Sequence, residues 1–264
     1  MKNITIFKIA LAVLAFISLT FSSGCKEEGC TDPLAANYNP DAKESDGNCV
    51  FPMLTLHFHS MVGDEAFAYN TTYTVNGVAM SFSTAQFYVS GVRVGGDGVF
   101  DTNEDKYLLV KADQSVYEVG EITTGHKHML MFNVGVDSAA NHADPTTYES
   151  THPLAPQSPN MHWSWNSGYI FVRVEGLVDT DGNGTPDAEF LFHIGTDAKR
   201  TPIALTAHKE VAAVDETIHM EVDFAKLFTG IDLKTDRTTH TGDNPTLAAK
   251  FVANLPDIFS VEAE

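Results

Sequence analysis

Beyond Phe51 the chain is written almost entirely in short apolar runs, each bounded by Gly, Asp, Asn or Pro. "MLTLHFHSM" (Met53–Met61) alternates in polarity, so its side chains divide between the two faces of an extended strand. "TYTVNGVAMSF" repeats the pattern on both sides of Asn76-Gly77, a pair suited to a tight hairpin turn. "AQFYVSGVRVGG", "YLLVKAD", "HMLMFNVGV", "GYIFVRVEGLV", "AEFLFHIG", "PIALTAH" and "IHMEVDF" read the same way. Only "AKLFTGIDL" and "NPTLAAKFVANLPDIF" suggest helix, the second with Asn244 as cap and Pro245 in the first turn. Many short strands must share their apolar faces to bury them. The expected class is therefore all-β, a β-sandwich with one or two short helices. Asp137 to Met161 reads as one long loop, rich in Pro and Asn, of a length that in compact domains usually serves function. "GGDGVFDTNED" (Gly95–Asp105) reads as a hairpin loop.

The N-terminal end follows other rules. Lys2 and Lys8 precede and flank an apolar run, Ile9 to Leu19, that is too short for a membrane-spanning helix. Ser22-Ser23-Gly24-Cys25 resembles a bacterial lipobox, which implies a signal peptide over residues 1–24 and a lipid on the Cys25 thiol. Lys26-Glu27-Glu28 then resembles the export signal that carries some lipoproteins to the outer face of the outer membrane. The expected location is the outer membrane, on the cell surface or the periplasmic side. The chain has three cysteines, and with Cys25 acylated Cys30 and Cys49 remain as a pair. Residues 25–52 lack apolar periodicity and carry turn formers at Asp32-Pro33, Asn39-Pro40 and Asp46-Gly47. They read as a stalk closed by a Cys30–Cys49 bridge, a constraint of ~3 kcal/mol on the unfolded chain. Residues 53–264 then form the main domain.

Net charge is −19, which disfavours nucleic acid and anionic membrane surfaces as partners. Against this acidity the chain holds eleven histidines. His57 and His59 sit two apart in a strand, so both rings leave by one face. His126 and His128 repeat the spacing. His142 lies near the start of the long loop, His162 ends it, and His193 lies in a strand. Imidazoles converging from several strands suit copper, zinc, iron or nickel, and their spacing does not choose among them. With Cys30 and Cys49 paired outside the domain, a thiolate site is not expected. Both tryptophans, Trp163 and Trp165, follow His162 directly. On a strand they share one face and His162 takes the other.

Gly135-Val136 with Asn141-His142, then Trp163, Trp165, Gly168 and Tyr169, then Glu175-Gly176, then His193-Ile194-Gly195 resemble the MbnP-like family of copper-binding envelope proteins. The family's aromatic position before His193 is taken by Leu191, so that part of the match is approximate. "QFYVSGVRV" and "NPTLAAKFVANLPDIFSV" extend the likeness over most of residues 53–262. Unlike many relatives, the chain has no cysteine after Cys49. The resemblance implies a copper site drawing on His142 and His193, with His57, His59 or His162 as further ligands. It also implies oxidation of Trp163 or Trp165 to a kynurenine. A neutral indole N–H only donates, whereas the aryl amine of a kynurenine can bind a metal. The family's oxidant is a separate dihaem protein, so the chain would be its substrate and a copper carrier, with no enzymatic activity of its own.

A second ion is suggested by "DTDGNGTPD". Asp179, Asp181, Asn183 and Asp187 fall at positions 1, 3, 5 and 9 of a calcium loop, but Phe190 stands where an EF-hand needs Glu. The expected function is copper acquisition, storage or delivery at the envelope. The rival is a calcium-stabilised surface interaction module that uses the tryptophans as a binding platform.

Overall fold

The computed structural model describes residues 27–96, 98–164 and 167–262. Residues 1–24, expected to be a signal peptide, and Cys25 and Trp165 lie outside the described residues. The described chain divides into two compact units, one ending at Val50 and one beginning at Phe51.

In the first unit Cys30 and Cys49 are joined by a disulfide, as expected from the cysteine count. Glu28–Gly29 pairs in parallel with Glu44–Ser45. Polar side chains add to this framework: Asn37 Nδ2 donates to the Asn48 carbonyl at 2.7 Å, and Asn37 Oδ1 accepts from Val50 N–H at 2.8 Å.

The second unit is a β-sandwich. Its main strands are β1 (Met53–Val62), β2 (Thr72–Val75), β3 (Val78–Gly96), β4 (Val99–Lys111), β5 (Val116–Glu121), β6 (Gly125–Val134), β7 (His162–Ser164), β8 (Gly168–Val178), β9 (Ala188–Gly195), β10 (Thr201–Val211), β11 (Glu216–Asp223) and β12 (Phe259–Val261). Among the described residues the larger sheet runs β10-β6-β3-β8-β9, with β2 and β4 also on β3 and β7 on β8. The smaller sheet runs β12-β11-β1, with β5 also on β1. Its β1–β11 pair is parallel and sets His57 beside His219.

The core is built from the inward set of each alternating strand. Leu54, Leu56 and Phe58 of β1 and Ile218, Met220 and Val222 of β11 are buried from one side; Phe87, Val92, Leu130 and Phe132 are buried from the other. Phe87 bridges the two, edge-on to Phe58 with centroids 6.3 Å apart and to Phe259 at 5.5 Å. Asn76 and Gly77 both take positive φ, 52° and 77°, which lets β2 turn directly into β3.

The structure departs from the sequence pattern at two places. "GGDGVFDTNED" is mostly strand: β4 begins at Val99, so the turn is far shorter than a loop from Gly95 to Asp105. This half of β4 is largely exposed and pairs with β3, so it carries the charges of an edge and no apolar alternation. "AKLFTGIDL" forms only a 3₁₀ turn, Phe224–Phe228, which buries Phe224, Leu227 and Phe228 before the chain turns at Gly230. The other helical candidate stands: Pro245–Asn254 is helical, and Asn244 caps it by accepting from Leu247 N–H.

The long loop holds a one-turn helix, Ser138–Asn141, and a 3₁₀ turn, Pro145–Thr147. It covers a second buried cluster that includes Tyr88, Leu154, Met161, Tyr169 and Phe171. Phe87→Ala should remove its ring contacts with Phe58 and Phe259 across the sheets, at a cost of about 3–5 kcal/mol, read from denaturant unfolding. A cost under ~1 kcal/mol would show that the sheets do not depend on it.

Candidate metal centre

Because Leu54, Leu56 and Phe58 point inward, His57 and His59 must point outward from the smaller sheet. Ile218 and Met220 send His219 to that same side, and the parallel register places it next to His57. Three half-buried imidazoles meet there. His57 Nδ1 lies 3.1 Å from His219 Nδ1 and 3.3 Å from His59 Nε2. The other nitrogen of His59, Nδ1, is bound by the Glu262 carboxylate. That contact leaves Nε2 as the nitrogen aimed at its neighbours. A carboxylate behind an imidazole is the usual support of a metal-binding histidine. Burial, then the nearby His59 and His219, hold His57 below the ordinary imidazole value, although Glu262 acts in the opposite sense. The ring is therefore neutral at neutral pH and able to donate a lone pair.

The residues singled out around the family motifs lie elsewhere. His193 is buried on β9, and its Nε2 lies 2.7 Å from Glu175 Oε1. Arg173 holds the same carboxylate at 2.8 Å, and His240 stands edge-on to His193 at 5.0 Å between centroids. His142 is exposed and reaches Asp197 Oδ2 at 3.3 Å. His162 contacts the Tyr169 ring at 4.8 Å, and its buried Nε2 has no hydrogen-bond partner among the described residues. Burial holds its pKa down, partly offset by Asp144. Among the described residues none of these three joins a group of three converging ligands.

Trp163 rests on the backbone of Gly195: a Cβ there would lie 2.6 Å from its ring. Gly195 and His193 are two apart on β9, so the indole and His193 share one side of the sheet. Asn141 Oδ1 accepts from Tyr169 N–H at 2.7 Å, and a Cβ on Gly168 would stand 2.2 Å from that oxygen. The motif pieces Asn141, Gly168 and Tyr169 thus lock together and fasten the long loop to β8.

In the acidic loop, Asp179 accepts from Gly182 N–H and Gly184 N–H, each at 2.8 Å. Asp181 accepts from Asn183 N–H, and Asn183 from Thr185 N–H. These oxygens are engaged by the loop's own amides; Asp187 contributes its backbone N–H to Val178.

His219 was missed in the sequence. "IHMEVDF" shows that it faces outward, but its pairing with β1 crosses 162 residues and leaves no local trace.

The class defined here is an all-β sandwich that carries grouped imidazoles on an outer sheet face. The MbnP family model matches residues 52–244, and the chain belongs to that family. Among solved structures it is similar to MbnP from Methylosinus trichosporium, with a TM-score of 0.55 and 16% identity, covering 80% of this chain and 98% of that one. At that identity the likeness speaks for the fold. Comparison with curated proteins returns no match.

Glu175 tests the His193 environment. His193, and then Arg173, hold its carboxyl down to about 2 against the opposing effect of burial, from an ordinary 4.5. A depressed carboxylate stabilises the fold above its unfolded pKa and loses that contribution as pH falls through the folded one. The gap in Tm between wild type and Glu175→Gln should therefore close between pH 4.5 and about 2. A gap that stays constant over that window would contradict the pairing.

Proposed function

We propose that this protein is an envelope copper carrier whose principal site is His57, His59 and His219. The observation that supports this most is the meeting of three imidazole nitrogens from two parallel strands, with two separations of 3.1 and 3.3 Å. Two nitrogens that share one ion at metal–nitrogen distances of about 2.0 Å, in tetrahedral geometry, stand roughly 3.3 Å apart. The donor set is imidazole with a carboxylate behind it, which fits copper among the first-row metals. Family membership favours copper over zinc or nickel.

A second copper reading has an observation of its own. Trp163 and His193 share one side of β9, and Glu175 holds Nε2 of His193, so Nδ1 remains for a metal. Oxidation of Trp163 to a kynurenine by a dihaem partner would add an amine donor there. Trp165 and His142 stay candidates on the sequence motif alone. A mass change of one oxygen gained and one carbon lost in protein from its native host would support the tryptophan chemistry. The calcium-stabilised module gains no support from a loop whose carboxylates take up their own amides. We place the protein at the outer membrane, held by lipid on Cys25, on the strength of the sequence motifs alone. Acquisition, storage or delivery of copper is the role this placement suits.

His219→Ala should weaken copper binding by more than the roughly 10–100-fold that follows loss of an outer-sphere partner, while His193→Ala leaves that site intact. Competition titration against a chromophoric chelator reads both. Loss of affinity in His193→Ala but not in His219→Ala would move the site to β9. For wild type, affinity should fall as pH drops through the lowered pKa of His57, below the ordinary imidazole value of 6.5, because a proton on that ring competes with the metal.

A further inference from the structure

The larger sheet carries three other histidines that neither the family motifs nor the proposed site uses. His126 and His128 lie two apart on β6 and leave by one face. His208 lies on the neighbouring strand β10, at a register slip. Thr206 pairs with Met129 and Lys209 with Lys127, so Ala207 and His208 together oppose the single residue His128. This is a β-bulge, the device by which a strand re-aims one side chain. Ala207 packs into the core, whereas His208 faces solvent with φ at 47°, the left-handed region.

The result is a compact group. The His126 and His128 rings meet edge-on at 4.3 Å, and His208 lies 5.8 Å from His128 and 6.2 Å from His126. One nitrogen from each ring lies within 4.8 Å of the others. Behind His126, Nδ1 contacts Glu210 Oε2 at 3.2 Å, directly across the strand pair. The arrangement repeats that of the smaller sheet: two histidines at alternate positions of one strand, a third from the adjacent strand, and a carboxylate behind one ring. It differs in exposure. His126 and His208 are open to solvent, so the fourth coordination position would be open as well.

We propose that His126, His128 and His208 form a second metal site, which takes a divalent first-row transition ion, Cu²⁺ or Zn²⁺, in exchangeable form. Imidazole donors with solvent on the open side suit both ions. Bound nitrogens stand roughly 3.3 Å apart in such a site, and rotation of the exposed rings closes the remaining distance. The site is on the other sheet and shares no residue with the His57 group, so the two can be tested separately.

The test is equilibrium loading of the full chain with CuCl₂ or ZnCl₂, counting bound metal after gel filtration. Wild type, His208→Asn, His219→Ala and the double variant are compared. Asparagine tolerates positive φ, so His208→Asn keeps the bulge while removing the imidazole. His126→Ala, at an exposed position, is the independent check. Each substitution in the β6–β10 group should lower the count by one equivalent, in the wild-type and His219→Ala backgrounds alike. Loss in the copper arm only, or in the zinc arm only, names the occupant. An unchanged count for both His208→Asn and His126→Ala with both metals overturns the inference, whatever His219→Ala does. A count unchanged by His219→Ala but lowered by His208→Asn leaves this site standing and removes the one on β1 and β11.

Discussion

The two-residue period of β1 sets both the core and the histidine face. Leu54, Leu56 and Phe58 face inward and meet the aromatic core of the larger sheet; His57 and His59 are then obliged to face outward. A slip of one residue would bury the imidazoles and expose the core. The hydrophobic stabilisation of the sandwich, at roughly 25 cal/mol per Å² of apolar surface buried, therefore also fixes the position of the donor atoms. β11 obeys the same rule, and the parallel pairing of the two strands brings His219 to His57. Glu262, just beyond β12, adds the carboxylate that orients His59.

The motifs that identify the family do different work. Asn141 reaches from the long loop to the backbone of Tyr169, over a glycine that leaves room for it. Gly195 lets Trp163 lie against β9. Tyr88 and Tyr169 donate to the carbonyls of Pro153 and Leu154 and pin the loop at its far end. A segment that reads as irregular is thus held by buried tyrosines and one buried amide. It keeps Trp163 beside a strand that carries His193, where a modified indole would have a ligand to join.

Much of this was legible in the sequence. Alternation located the long strands, Asn76-Gly77 marked a hairpin, Asn244-Pro245 opened the helix, and the odd cysteine count pointed to the Cys30–Cys49 pair. Three things were not. The charged edge half of β4 has no apolar pattern to read, and β5, "VYEVGE", is short. The 3₁₀ turn at Phe224–Phe228 buries its aromatics without continuing into a helix. Most important for function, His219 joins His57 only through a strand pairing between distant segments, and His208 joins His128 through a bulge. Spacing shows which face a histidine takes, whereas register decides which other histidines share its neighbourhood.

If copper sits on the outer face of the smaller sheet, as proposed, anomalous scattering locates the ion directly. Crystals of the copper-loaded full chain, measured on both sides of the copper absorption edge, should give a peak bounded by His57 Nδ1, His59 Nε2 and His219 Nδ1. A peak beside Trp163 and His193, with none among those three nitrogens, would contradict the account and place the carrier's site on β9.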